Sequence, residues 1–188
     1  MKAATEHGLR LFTGLSLTRE VREHVSSIVG ELSERVEGVR WIPEENFHVT
    51  LKFIGPCPGE RVPCVVDAMR RASRHLPLSL EIGGVGAFPS LGSARVVWVG
   101  AYDLEGRIEK IYNVIDRGAE KCGIPRERRR YKPHVTVGRC RKKPATVPRE
   151  LAERFCGRVE LEVADIVLYS SELNSTGARY SIVETVSL

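Results

Sequence analysis

The sequence has no apolar run long enough to span a membrane, and its first residues contain no apolar segment of the signal-peptide kind. Its five cysteines are scattered and odd in number, and no two have the C-x-x-C spacing. This pattern argues against a zinc ribbon, a thioredoxin-like site and a disulfide framework. We therefore expect reduced cysteines in a cytoplasmic protein that has no membrane partner.

Aromatic residues are also scarce, at 6% of the 188 residues, and there is no low-complexity tract. The rest of the composition, 42% hydrophobic and 28% charged, is that of a globular protein. A chain of this length buries a sizeable core without disulfides or a structural metal. We expect a single domain and a monomer.

Basic charge is present in excess and is unevenly distributed. The formal net charge is +5, and nine of the 29 basic residues lie between positions 126 and 143, against one acid, Glu127. A charge run is usually only a solvated face of a protein. This one surrounds a candidate active strand described below, and it therefore favours a polyanionic partner.

The spacing of apolar residues predicts strands and helices that alternate along the chain. Period-two patterns predict strands over residues 9–17, 47–54, 78–85, 95–101, 134–139, 159–169 and 180–188. Helical periodicity predicts helices over residues 17–36, 62–76, 104–122 and 148–155, with Thr18 as the N-cap of the first and Gly123 as the end of the third.

The order strand, helix, strand, helix, strand occurs twice, which indicates an internal duplication over approximately residues 9–86 and 95–188. We predict an α+β fold with two pseudo-symmetric lobes in one bilobal domain. Each lobe is expected to be an antiparallel sheet with helices on its outer face, with an active-site cleft between the lobes. The Gly/Pro/Ser-rich residues 83–93 are the expected linker.

Each half of the chain carries one copy of the pattern His-x-Thr-apolar inside a predicted strand. The first begins at His48 and includes Thr50, and the second begins at His134 and includes Thr136. Alternate side chains of a strand project to the same face, so each His projects together with its Thr. If the lobes face each other, two imidazoles and two hydroxyls converge on one cleft.

A single histidine on a strand is more often structural than catalytic, but two matching copies in a repeated unit favour catalysis. One protonated and one neutral imidazole suit in-line displacement at phosphorus, with one histidine as acid and the other as base. Thr hydroxyls and a nearby Arg can stabilise the phosphoryl oxygens. Neither motif has Cys, Asp or Glu at ligand spacing, so we expect no metal and no cofactor.

Several segments resemble the RNA 2′,3′-cyclic phosphodiesterases, historically called 2′,5′ RNA ligases (LigT-like), of the two-histidine phosphoesterase superfamily. They are RWIPEENFHVTLKFIG at residues 40–55, GAFP at 86–89, VVWVG at 96–100, the R-x-Y-x-PHVTVGR pattern at 129–139, and residues 171–180. Together these segments extend over nearly the whole chain.

This resemblance implies that His48 donates a proton to the leaving 3′-oxygen of a 2′,3′-cyclic phosphate at an RNA end. It implies that His134 activates water, which leaves a 2′-phosphate. The implied phosphate-binding residues are Thr50, Thr136 and Arg139. Further possible contacts to RNA are Phe12, which could equally be a core aromatic residue, and Arg129, Arg130 and Lys132.

Two other functions stay open at this point. Ligation of tRNA halves through a 2′,5′ linkage is the same displacement with a 5′-hydroxyl in place of water, so tRNA fragments are an alternative partner. A non-catalytic RNA-binding module belongs to a different class. The low aromatic content argues against a module that binds single strands by base stacking.

Overall fold

The computed structural model describes residues 9–140, 142–173 and 178–188. Arg141 of the basic run and residues 174–177 of the segment at 171–180 lie outside the described residues. The strands are β1 Leu9–Ser16, β2 Arg40–Trp41, β3 His48–Cys57, β4 Leu78–Phe88, β5 Val96–Tyr102, β6 His134–Arg139, β7 Arg158–Val163, β8 Asp165–Leu173 and β9 Ala178–Ser187. The α-helices are α1 Arg19–Ser33, α2 Val62–Ala72, α3 Arg107–Lys121 and α4 Arg149–Arg154.

All the strands belong to one curled antiparallel sheet in the order β7-β4-β5-β6-β3-β1-β8-β9, and the short strand β2 pairs with β6. The motif strands β3 and β6 are neighbours at the middle of this order, where Val49 pairs with Val135. The sheet therefore divides into two four-stranded groups that meet at the two motifs. The predicted α+β class, with two related groups of antiparallel strands, is confirmed.

These strand groups do not coincide with the two halves of the chain. Strand β4 comes from the first half, yet it pairs with β5 and β7, while β8 from the second half pairs with β1. The first half of the chain therefore contributes β4 to the group of β5, β6 and β7, and the second half contributes β8 and β9 to the group of β1 and β3. Local periodicity detects the repeated elements but carries no information on this exchange.

The predicted linker over residues 83–93 is wrong in its first part, because β4 continues to Phe88. Two glycines of this segment are needed because other groups approach the strand closely. A Cβ atom on Gly83 would lie 2.2 Å from the carbonyl oxygen of Gly157, and one on Gly86 would lie 2.2 Å from the Trp98 ring. The predicted strand over residues 159–169 is likewise two strands, β7 and β8.

The helices follow the apolar periodicity. Thr18 is the N-cap of α1, and its hydroxyl accepts a hydrogen bond from the Val21 N–H. Gly123 follows α3 with φ of 79°, a left-handed conformation that suits glycine at a helix end. None of the described helices is long and apolar enough to cross a membrane.

The expectation that all cysteines are reduced is wrong for one pair. Cys64 on α2 and Cys122 at the end of α3 form a disulfide, with 5.9 Å between their Cα atoms. Cys57, Cys140 and Cys156 are free thiols. The two bonded residues are 58 positions apart. They meet because α2 packs against α3, a contact that cysteine spacing does not reveal.

Candidate active site

The central strand pair brings both His-x-Thr motifs to one face of the sheet. Val49 and Val135 are paired residues with no exposed surface, so their side chains mark the core face. The residues on either side of each valine project away from the core. Continuing the register by one residue places His48 opposite Thr136, and Thr50 opposite His134.

His48 is held at both ring nitrogens. Nδ1 lies 2.8 Å from the Asn46 carbonyl oxygen, and Nε2 lies 3.0 Å from the Thr50 hydroxyl oxygen. Because a carbonyl can only accept, Nδ1 carries the proton and Nε2 accepts from Thr50. The rings of Phe12 and Tyr180 lie 4.7 and 5.3 Å from the imidazole. Burial lowers the pKa of His48 to about 4, and the positive charge of Arg139 also lowers it, against the opposing hydrogen bond to Asn46.

His134 has the same type of backbone contact, since its Nδ1 lies 2.6 Å from the Lys132 carbonyl oxygen. In each motif, therefore, the carbonyl two residues upstream fixes the tautomer with the proton on Nδ1 and leaves Nε2 able to accept a proton. The rings of Phe88 and Trp98 lie 5.2 and 6.0 Å away. Burial lowers the pKa of His134, and the charges of Arg139 and Lys132 add to this effect.

A β-bulge turns Arg139 toward the same face as the histidines. Along β6, Thr136 pairs with Trp98 but Gly138 pairs with Val97, so Val137 is an extra residue. Without this extra residue, Arg139 would project to the opposite face from Thr136. The exposed Arg139 side chain instead lines the cleft beside His134 and Thr136.

The cleft in front of these strands has a volume of about 1190 Å³. Of the residues predicted for the site, it is lined by Thr50, Arg129, Arg130, Lys132, His134, Thr136 and Arg139. His48 does not line the cleft, but its Nε2 is hydrogen-bonded to the hydroxyl of Thr50, which does. Phe12 is only 3% exposed and packs on His48, so the structure places it as a core aromatic residue.

Comparison with known proteins agrees with this geometry. The LigT-like phosphoesterase family profile matches residues 15–98 and then residues 99–180. An RNA 2′,3′-cyclic phosphodiesterase of Archaeoglobus fulgidus is 34% identical over 175 residues, which are 92% of this chain and 96% of the relative.

This chain belongs to the LigT-like phosphoesterase family.

Two solved structures extend the comparison to the fold. A structure from Thermus thermophilus has a TM-score of 0.78 at 27% identity and covers 96% of this chain and 98% of its own. A structure of E. coli LigT complexed with 3′-AMP has a TM-score of 0.75 at 25% identity, with coverage of 96% and 98%. The LigT-like fold is therefore present over nearly the entire chain.

The structure also reveals a buried charge network next to the LigT-like motifs, which the motifs themselves do not indicate. The Lys52 ammonium group donates to Asp116 Oδ1 at 2.7 Å and to the Pro125 carbonyl at 2.9 Å. Arg126 donates to Asp116 Oδ2 at 2.9 Å, and the Glu127 N–H donates to Oδ1 at 3.1 Å. Burial raises the pKa of Asp116, but the hydrogen bonds from Lys52 and Arg126 outweigh it and lower the pKa.

Tyr131 forms a second connection to the first motif. Its hydroxyl donates to the Thr50 carbonyl oxygen at 3.0 Å, and its ring stacks on Tyr112 with 4.1 Å between centroids. Together with the Lys52–Asp116 network, it ties the start of the basic run to β3. A sequence signal for this network was available, since Asp116 is a charged residue within the apolar stripe of α3.

Among the described residues, no group of three or more His, Cys, Asp or Glu side chains is arranged to hold a metal ion. The polar groups on the active face include imidazole, hydroxyl and guanidinium groups. Of these, the imidazoles can transfer protons at neutral pH, while the hydroxyls and the guanidinium can bind an anion.

Proposed function

We propose that this protein is an RNA 2′,3′-cyclic phosphodiesterase that hydrolyses a terminal 2′,3′-cyclic phosphate to a 2′-phosphomonoester. The observation that carries the proposal is the matched pair of histidines, each fixed at Nδ1 by a backbone carbonyl and grouped with Arg139 on one face. The curated relatives that carry this activity in their names, such as the one from Archaeoglobus fulgidus, support the assignment.

In the proposed reaction, His134 Nε2 takes a proton from water, and the water oxygen attacks phosphorus. The bond between phosphorus and the ribose 3′-oxygen breaks, and His48 Nε2 supplies the proton that the 3′-oxygen needs. The phosphate stays on the 2′-oxygen. Thr50, Thr136 and Arg139 donate hydrogen bonds to the phosphoryl oxygens as negative charge increases on them.

The backbone carbonyls contribute to this reaction by orienting both rings. The acceptor at Nδ1 keeps each Nε2 directed toward the active face, and it stabilises the imidazolium form when Nε2 gains a proton. The Thr50 hydroxyl covers His48 Nε2 in the structure. When a substrate binds, Thr50 redirects its hydroxyl proton to a phosphoryl oxygen. The substrate then occupies the position next to His48 Nε2.

The lowered pKa of His48, about 4, means that this ring is neutral in the free protein at neutral pH. Its role as an acid therefore depends on the substrate. A cyclic phosphate carries one negative charge, which offsets the charge of Arg139 and favours protonation of a nearby imidazole. We infer that protonation of His48 accompanies substrate binding.

The two-fold match of the family profile, to residues 15–98 and 99–180, supports the proposal that the chain arose by internal duplication. The strand order, with three strands on each side of the β3–β6 pair, is consistent with it. A cytoplasmic location, a monomeric state and tRNA fragments as the natural substrate stay predictions, which cell fractionation, light scattering and RNA sequencing can check.

The proposal is tested by incubating a short RNA with a 2′,3′-cyclic phosphate end and the purified protein in EDTA, and locating the phosphate in the product by NMR. We expect a 2′-phosphate and full activity in the chelator. A 3′-phosphate product would contradict the assigned leaving group, and loss of activity that added metal restores would contradict the metal-free mechanism. Ligated RNA from substrates with a 5′-hydroxyl would favour the ligase alternative.

A further inference from the structure

Arg40 and Arg139 lie directly opposite each other on the paired strands β2 and β6. Opposite residues of an antiparallel pair project to the same face, so the two cationic side chains leave the sheet from adjacent positions. Like charges in this position destabilise the strand pair. The arrangement therefore calls for negative charge close to both groups.

No carboxylate of the described residues supplies this charge. The ion pairs within residues 9–140, 142–173 and 178–188 involve neither Arg40 nor Arg139. Lys142 and Lys143 also lack an acidic partner in that part of the chain. These four cations line one groove of about 490 Å³, here called the basic groove.

The basic groove continues the active-site cleft, because Arg139 lines both. A cyclic phosphate bound at Arg139 is the 3′ end of its RNA, so the whole remaining strand lies on the 5′ side of the terminal nucleotide. The groove offers cations at the position where the next phosphates of such a strand can follow. Its described lining has no aromatic side chain on which a base could stack.

We propose that the basic groove binds the sugar–phosphate backbone on the 5′ side of the terminal nucleotide, through Arg40, Lys142 and Lys143. The inference rests on the proposed function and specifies its substrate class: RNA strands, in preference to 2′,3′-cyclic mononucleotides. Since the contacts are to phosphates, the preference depends on strand length and salt and not on base sequence.

The test compares kcat/KM for a 2′,3′-cyclic mononucleotide and for a tetranucleotide with the same terminal nucleotide and a cyclic phosphate end. We expect the wild-type protein to prefer the tetranucleotide. The triple variant Arg40→Gln/Lys142→Gln/Lys143→Gln should reduce the ratio of the two kcat/KM values by roughly tenfold or more, since each charged hydrogen bond is individually strong. The slope of log(kcat/KM) for the tetranucleotide against the logarithm of the salt concentration should become less steep by about 0.7 for each lost phosphate contact.

The control is the triple variant Lys110→Gln/Arg117→Gln/Lys121→Gln, which removes the same charge from the outer surface of α3. It should leave the ratio unchanged, and a melting curve of each variant shows whether it is folded. Equal values for the two substrates in the wild type, or equal loss of the ratio in both triple variants, would overturn the inference. If the wild type opened neither substrate, the proposed function itself would fail, which is a distinct outcome.

Discussion

Lys52 and Asp116 form a buried ion pair beside the first active strand, with 2.7 Å between Lys52 Nζ and Asp116 Oδ1. Both side chains are almost entirely buried. The pair joins β3, two residues after Thr50, to α3 and to the start of the basic run at Arg126. The network therefore links the strand of the first motif to the segment that leads to the second motif.

Removal of one partner of this ion pair should lower the free energy of unfolding substantially. Asp116→Ala leaves the Lys52 charge buried and uncompensated, so we expect a loss of about 3–5 kcal/mol in the free energy of unfolding. Urea denaturation measures it. The control is Glu23→Ala, which breaks the exposed Arg19–Glu23 pair and should cost at most about 1 kcal/mol. A similar small loss for Asp116→Ala would contradict a structural role for the buried pair.

The stability of the protein should fall as the pH is lowered through the titration range of His48. The pKa of His48 is lowered from 6.5 to about 4 in the folded protein, so the unfolded chain binds the extra proton first. The contribution of this histidine is fully present above about pH 6.5 and is lost as the pH falls toward 4.

This contribution amounts to about 3 kcal/mol at most, on the scale of 1.36 kcal/mol per pKa unit. Urea denaturation of wild type and His48→Gln at pH 7 and pH 4.5 measures it as the difference between the two proteins. The variant should lose less stability than the wild type on acidification, whereas His75→Gln should behave like the wild type. Equal losses of stability for wild type and His48→Gln between pH 7 and pH 4.5 would mean that the His48 ring is not buried.

The disulfide between Cys64 and Cys122 should stabilise the fold. A loop closed over a separation of 58 residues corresponds to about 4 kcal/mol in the chain-entropy treatment. The variant Cys64→Ser/Cys122→Ser should lower the urea midpoint accordingly, and a reducing agent should have the same effect on the wild type. Cys156→Ser, which replaces an exposed free thiol, is the control and should leave the midpoint unchanged. No effect of reduction would argue against the bond.

The rate should depend on pH differently for the free and the substrate-bound protein. The pKa values of both histidines are lowered in the free protein, so the bell-shaped profile of kcat/KM should have its maximum below pH 6.5. The negative charge of the substrate raises both pKa values, and the profile of kcat should therefore extend to higher pH. Steady-state rates between pH 4 and 9 measure both profiles. Identical profiles would contradict protonation of His48 on substrate binding.

Much of the fold was predictable because its signals are local. The strands predicted over residues 47–54 and 134–139 correspond to β3 and β6, and the cap at Thr18 and the repeated element order also follow from spacing along the chain. The exchange of β4 between strand groups and the Cys64–Cys122 bond depend on contacts between distant segments, which periodicity does not encode.

The active site was also predictable only in part from local sequence signals. The grouping of two histidines and two threonines on one face followed from the motifs and from strand geometry. The low aromatic content, by contrast, was misleading as an average, because several of the few aromatic rings surround His48 and His134. The bulge at Val137, which directs Arg139 to the active face, and the burial of Phe12 could be found only in three dimensions.

In the proposed mechanism, His48 and His134 transfer the protons of cyclic-phosphate opening. The most direct measurement is the single-turnover rate with a short RNA 2′,3′-cyclic phosphate for wild type, His48→Ala, His134→Ala and, as a control, His75→Ala. We expect each active-site variant to lose about 10²–10⁴ in rate while remaining folded, with His75→Ala unchanged. Either active-site variant reacting at the wild-type rate would contradict the two-histidine mechanism.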